Sequence, residues 1–346
     1  NLPRQNTIPI VSIFRGLSAP VKCTYDLSDS EIIHLLKNDN DAVSRWDSSQ
    51  TLLKKIICDR ANDNPNLLLE KDLTNAIYEL FDITASKDPE LLAKIMTFPI
   101  QQEIENSYLL SDPIKLYKSK SFLLCKFGKI LEQKLFDFVK NSALSKLEEW
   151  PDGKGARHLT GLAWLLISAS NNKAIETDLL EAVKSSSMTM SKYALEAIKM
   201  HEGTMREVAM NIFYERWKDN SIVLDTWFYL KASSPSNKSL SIVKELLDHP
   251  NFDYSAPNSL RALLGGFISN TLAFHSSDGS GYEFISEQVI AIDRINPIVA
   301  SKLVKSFSHW KNYLPLYSSL MSQSIMKISS CKLSRNTREV VDLIST

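Results

Sequence analysis

The sequence predicts an all-α fold, a superhelical array of antiparallel helix pairs of the armadillo or HEAT kind, with a short extended segment at its front. Three observations carry this expectation. After residue 30 no stretch sustains the apolar–polar alternation of a half-buried strand. Apolar residues recur instead at three- and four-residue spacing, in about sixteen blocks of helix length joined by short connectors. A chain of 346 residues also exceeds what one compact core usually fills. Many short antiparallel helices then bury their faces most readily by stacking in pairs. Exact repeats are not visible, so the array is inferred from helix number and connector length.

In chain order, residues 1–25 stand apart. Ile8, Pro9, Ile10, Val11, Ile13 and Phe14 read as one or two extended segments, which cannot stand alone in water. Helices begin at Ser28, whose hydroxyl and Glu31 three residues on form a capping box ahead of Ile32, Ile33, Leu35 and Leu36. Helical spacing then runs through Val43 to Ile57, Leu73 to Phe81, Pro89 to Met96 and Pro113 to Val139. It continues through Leu159 to Ile167, Thr177 to Val183, Tyr193 to Ile198, Val208 to Trp217 and Leu240 to Leu247. Asp88-Pro89 and Asp112-Pro113 mark helix entries, since proline suits a first helical turn. Pro257 opens another helix with Leu260, Leu263, Leu264 and Phe267, and Ser276 to Gly281 breaks it. Tyr282 to Ile292 and Ala300 to Phe307 follow, separated by Asn296-Pro297.

Composition narrows the function classes. Forty basic residues cancel forty acidic ones with no charge block, which favours neither nucleic acid nor an anionic membrane as partner. The longest apolar run, Leu159 to Ala169, is too short to cross a bilayer. Cys23, Cys58, Cys125 and Cys331 lack metal-ligand spacing and read as reduced and mostly buried, which suits a cytoplasmic protein. Asn1 starts no signal peptide, and the chain begins like a fragment of something longer.

Catalytic motifs are missing. His201-Glu202-Gly203-Thr204-Met205 imitates the start of HExxH, in which two histidines one turn apart hold zinc and the Glu acts as base. Its fifth position is Met205, and Gly203 suits a helix stop, so the segment reads as a helix C-terminus. His34, His158, His249, His275 and His309 form no ligand pair. Gly279-Ser280-Gly281 follows no strand and reads as a turn between helices rather than a phosphate loop. Trp46, Trp164, Trp217 and Trp227 sit on apolar faces and read as core. Lys54-Lys55 and Lys118-Ser119-Lys120 are too short for a nucleic-acid stripe.

The segments "APNSLRALLGGF", "AFHSSDGSGYEF" and "INPIVASKLVKSF", between Ala256 and Phe307, resemble the C-terminal helical domain of the bacterial aminopeptidase N family of zinc metallopeptidases. "RGLSAPVK" from Arg15, "DAVSRWDSSQTL" from Asp41 and "VLDTWFYLKASSP" from Val223 are similar to it too, so the resemblance covers almost the whole chain in order. It implies that residues 1–25 are the last strand or strands of a preceding β-sandwich domain and residues 26–346 the helical solenoid. It also implies that HExxH, its third-ligand Glu and the zinc belong to a part of the polypeptide outside this chain. This part would then bind no metal and be inactive alone, capping the active-site chamber and shaping peptide access. Its partners would be the catalytic and sandwich domains, and the surface that meets them could make the isolated piece self-associate.

A family arginine in an "NPNxxR" segment matches Arg261, and a second, in "NPxVASR", falls on Lys302, both implied to face substrate. Lys302 keeps the charge but loses the planar fork that grips a carboxylate. Read from the residues alone, Arg261 is equally an exposed helix residue paired with a nearby acid, and Lys302 an isolated surface cation. The alternative for the whole chain is a free-standing solenoid scaffold binding a protein partner. The extended front segment and the family-like blocks weigh against it.

Overall fold

In a computed structural model the chain is described at residues 9–13, 15–18, 25–107, 110–142, 153–201, 203–236 and 238–345. Nineteen α-helices occupy these residues. The first seven are α1 (Asp29–Asn38), α2 (Ala42–Ala61), α3 (Leu67–Lys87), α4 (Pro89–Met96), α5 (Gln101–Glu105), α6 (Pro113–Ile130) and α7 (Glu132–Asn141). Then come α8 (Lys154–Ala169), α9 (Glu176–Val183), α10 (Met188–Ile198), α11 (Thr204–Trp217), α12 (Ser221–Ser233) and α13 (Ser239–Leu247). The C-terminal set is α14 (Pro257–Ser269), α15 (Thr271–Phe274), α16 (Ser280–Asp293), α17 (Pro297–Val304), α18 (Pro315–Ser329) and α19 (Arg335–Ser345). The all-α array expected from periodicity is what the chain forms.

The caps follow the sequence signals. Ser28 and Glu31 make the full capping box on α1. Asp88 and Asp112 accept backbone amides at the starts of α4 and α6, each with proline in the first turn. Asn296 does the same for α17. One expectation needs correction. The helix read from Pro113 to Val139 is two helices that bend at Leu131. The apolar period runs on unbroken through the bend, where Phe127, Leu131 and Leu135 are all buried. Trp46 also departs from the core reading: it is 39% exposed, since the buried stretch of α2 begins only at Ser48.

Residues 9–13 carry neither helix nor strand, and Arg15–Leu17 form a 3-10 turn. The rest of the expected extended segment lies outside the described residues. Cys58 is buried, and burial pushes its thiol up to about 12, while Cys125 and Cys331 are half-buried; all three are free.

A linear solenoid touches itself only between neighbours. Here the helices form a circuit. Helix α6 packs on α8, α8 on α10, α10 on α12, α12 on α14, α14 meets α15, and α15 returns to α6. Close backbone approach holds the circuit. A Cβ on Gly128 of α6 would lie 2.1 Å from the Leu166 carbonyl oxygen of α8. A Cβ on Gly266 of α14 would lie 2.7 Å from the Tyr229 carbonyl oxygen of α12.

The circuit closes at a backbone seam. The Ser111 amide donates to the Asn312 carbonyl at 2.8 Å, and the Leu314 amide donates to the Ser111 carbonyl at 3.1 Å.

The last helix is pinned by one carboxylate. Asp293 at the end of α16 accepts from the Ser334 amide at 2.7 Å and from the Ser334 and Thr337 hydroxyls at 2.5 Å each. Burial alone would raise its pKa, but these bonds outweigh it and hold the carboxyl below its ordinary value. Asp293→Ala should therefore cost about 2 kcal/mol. A lower urea midpoint, with faster amide exchange in α19 than in α2, would show it. The sign for pH follows from the lowered value: this contribution is present above the usual aspartate pKa and is lost as pH falls through the folded one.

Candidate functional site

The two cations singled out by resemblance stand on neighbouring helices. Helix α14 buries Leu260, Leu263, Leu264 and Phe267, which turns Arg261 to solvent. Helix α17 buries Val299, Ala300, Leu303 and Val304 and so exposes Lys302. The two helices pack directly on each other. The acid partner expected for Arg261 is not there: its guanidinium donates to the Asn258 side chain at 3.2 Å. Among the described residues neither Arg261 nor Lys302 makes an ion pair, and the nearby Arg294 and Lys305 make none either. Ile295 and Ile298 lie 55% and 57% exposed on the same short stretch. Positive charge without carboxylate partners, flanked by exposed apolar side chains, suits an anionic group or another protein surface rather than a solvated face.

A second constellation is buried. Glu105 of α5 accepts from the Tyr313 hydroxyl at 2.7 Å and from the Gln101 amide at 2.9 Å. The carboxylate oxygen that takes the Gln101 amide also faces His275 Nε2 at 4.0 Å, and His275 Nδ1 shares a 2.6 Å hydrogen bond with the Tyr282 hydroxyl. The imidazole is ringed by Phe274, Tyr282, Tyr313 and Tyr317, with centroids 4.8 to 6.2 Å away. Burial drives every pKa here toward the neutral form. Glu105 is raised, the two tyrosines Tyr282 and Tyr313 are raised, and His275 is pushed down to about 3. Nearby Lys120 of α6 donates to the Pro99 carbonyl at 2.7 Å, and burial together with Lys199 lowers it to about 8. Sequence reasoning missed this group, because Glu105 and Tyr313 are 208 residues apart.

The HExxH-like segment spans the junction of two helices rather than lying on one helical face. The glycine stop read at Gly203 is corrected. Helix α10 ends at Ile198 with Lys199 as its C-cap, and the His201 amide donates back to the Ile198 carbonyl. Gly203, with φ of 117°, precedes α11 as its N-cap. Among the described residues the buried His201 Nε2 has no hydrogen-bond partner. Among the described residues no group of three or more His, Cys, Asp or Glu side chains is placed to hold a metal ion. No helix of the described residues is long and apolar enough to cross a membrane.

Comparison with known proteins agrees with this architecture. The chain is 26% identical over 328 residues to aminopeptidase N of Haemophilus influenzae, covering 93% of this chain and 37% of that protein. It is 27% identical over 338 residues to aminopeptidase N of Caulobacter vibrioides, covering 96% and 39%. It is 30% identical over 315 residues to aminopeptidase N of Escherichia coli, covering 88% and 36%. The chain thus spans less than two-fifths of the length of these relatives and is homologous to their C-terminal part. Among solved structures, Legionella pneumophila aminopeptidase A in complex with aspartic acid matches with a TM-score of 0.86 at 24% identity, over 98% of this chain and 41% of that one. The family described as a domain of unknown function (DUF3458_C) with ARM repeats matches residues 29–346, and the chain belongs to that family.

Proposed function

We propose that this chain is the C-terminal helical part of a zinc-dependent aminopeptidase that removes N-terminal amino acids from peptides in the cytoplasm. The observation that carries the reading is coverage. Nearly all of this chain aligns with aminopeptidase N proteins, while most of each relative has no counterpart in it. On this reading zinc, held by ligands outside the chain, polarises the scissile carbonyl and activates water. Residues 1–25 end a β-sandwich domain, and residues 26–346 cap the chamber that peptides enter.

The role of Arg261 and Lys302 is to offer cations to the C-terminal side of a bound peptide. Their freedom from ion pairs supports this, because an already paired cation would have less charge to offer. A free-standing scaffold is less favoured, since it gives no reason for kinship with one segment of longer enzymes.

The test is made in the whole polypeptide. Its upstream sequence should carry HExxH with a further Glu on a later helix. Arg261→Ala should raise KM for tripeptides and longer substrates about tenfold, close to 1.4 kcal/mol of binding. It should leave hydrolysis of a small aminoacyl anilide unchanged. Equal loss on both substrate types would sink the assignment of Arg261 to the peptide's far end.

A further inference from the structure

We propose that the seam between residues 111–112 and 312–314, with the buried Glu105–Tyr313–His275 cluster behind it, is a releasable clasp that opens as one unit while the rest of the helical circuit stays folded.

Four observations carry it. The closure is thin: two backbone hydrogen bonds, the Tyr317 hydroxyl on Asp112 at 3.4 Å and the contact of α6 with the four-residue α15 join its two sides. The buried link across the closure is polar. The Tyr313 hydroxyl donates to Glu105 across it, and His275 Nε2 stands 4.0 Å from the same carboxylate. This link breaks when the two sides part, while the Gln101–Glu105 and His275–Tyr282 bonds each lie on one side. The seam is flanked by strain, because Leu110, 64% exposed, holds φ of 58°, a left-handed conformation costly for a branched side chain. Finally, an open surface groove of about 590 Å³ runs beside it, lined by Leu110, Trp310, Tyr313, Pro315 and Met326 among others. A closure joined by few bonds at the surface opens before a packed core does.

Opening would separate α5 and α6 from α15 and α18. The buried Tyr313–Glu105 bond is lost on opening, while Glu105 regains water, so the net cost of opening is small.

Hydrogen exchange on the full chain tests this, with Tyr313→Phe as the probe and Tyr214→Phe as the control. The control removes an exposed hydroxyl bond, to Asn251, in a different part of the array. Tyr313→Phe should speed exchange of the Ser111 and Leu314 amides at least tenfold, with α2 and α12 unchanged, and Tyr214→Phe should leave the seam as it was. Unchanged seam amides would show that the cluster does not hold the closure. Uniform acceleration along the chain would show that no separable unit exists. Either result overturns the proposal. Should Tyr313→Phe fail to fold, the unsubstituted chain decides. There the two seam amides must share one opening equilibrium, less protected than the amides of α16, and protection equal to that of α16 rejects the clasp.

Discussion

At pH 4 the fold should be about 3 kcal/mol less stable than at pH 7 on account of His275 alone. The imidazole is fully enclosed, and burial pushes its pKa down to about 3 from the ordinary 6.5. Between those values the unfolded chain takes up a proton that the folded chain refuses. The stability His275 contributes is therefore complete above about 6.5 and drains away as pH falls toward 3. Urea unfolding at pH 4, 5, 6 and 7, compared with His275→Gln, measures it. The variant will be weaker at pH 7, having lost the bond to Tyr282, but its stability should fall less on acidification. Glu105 acts in the opposite direction, since a raised carboxyl pKa favours the folded state at low pH, and it is common to both proteins. Parallel acid limbs in the two proteins would mean that His275 does not gain its proton on unfolding.

Gly128→Ala should destabilise the chain by about 3 kcal/mol or more, although alanine is the better helix former. The new methyl would sit 2.1 Å from the Leu166 carbonyl oxygen, 2.9 Å from its carbonyl carbon and 3.1 Å from the Ser170 Cβ. Two of those atoms are backbone, so relief requires α6 and α8 to move apart, and both belong to the closed circuit. Gly265→Ala supplies the contrast. No atom lies within 4 Å of a Cβ built there, so the same substitution should be neutral or stabilise by up to about 1 kcal/mol. Opposite signs from two helical glycines, read from urea midpoints at constant slope, would separate contact from propensity. Equal effects would remove the steric account.

Much of the fold could be read from local chemistry. Ser28, Asp88, Asp112 and Asn296 cap the helices that their spacing to apolar residues predicts, because a cap acts within a single turn. The bend at Leu131 is invisible to spacing because the buried stripe crosses it unbroken, and periodicity reports burial rather than axis direction. Trp46 departs from its expected place for a related reason: the stripe continues past the part of α2 that is covered. The candidate cations were legible only through resemblance. Spacing put Arg261 and Lys302 on polar faces but could not show that both lack carboxylate partners. Least legible was the cluster around Glu105 and His275. Each residue occupies an ordinary position in its own helix or turn, and only the return of the array on itself makes them neighbours.

That return has a consequence for how the chain is made. Contacts between adjacent helices join residues close in sequence and can form as soon as each pair leaves the ribosome. Glu105 must wait for Tyr313, 208 residues later. At ordinary translation rates the delay is about 10–40 s. During it the α5–α6 face remains uncovered in a nascent chain whose neighbouring helices have already paired. Synthesis thus passes through a long-lived open intermediate, and holdase chaperones should engage this protein most strongly in the interval before residue 313 emerges.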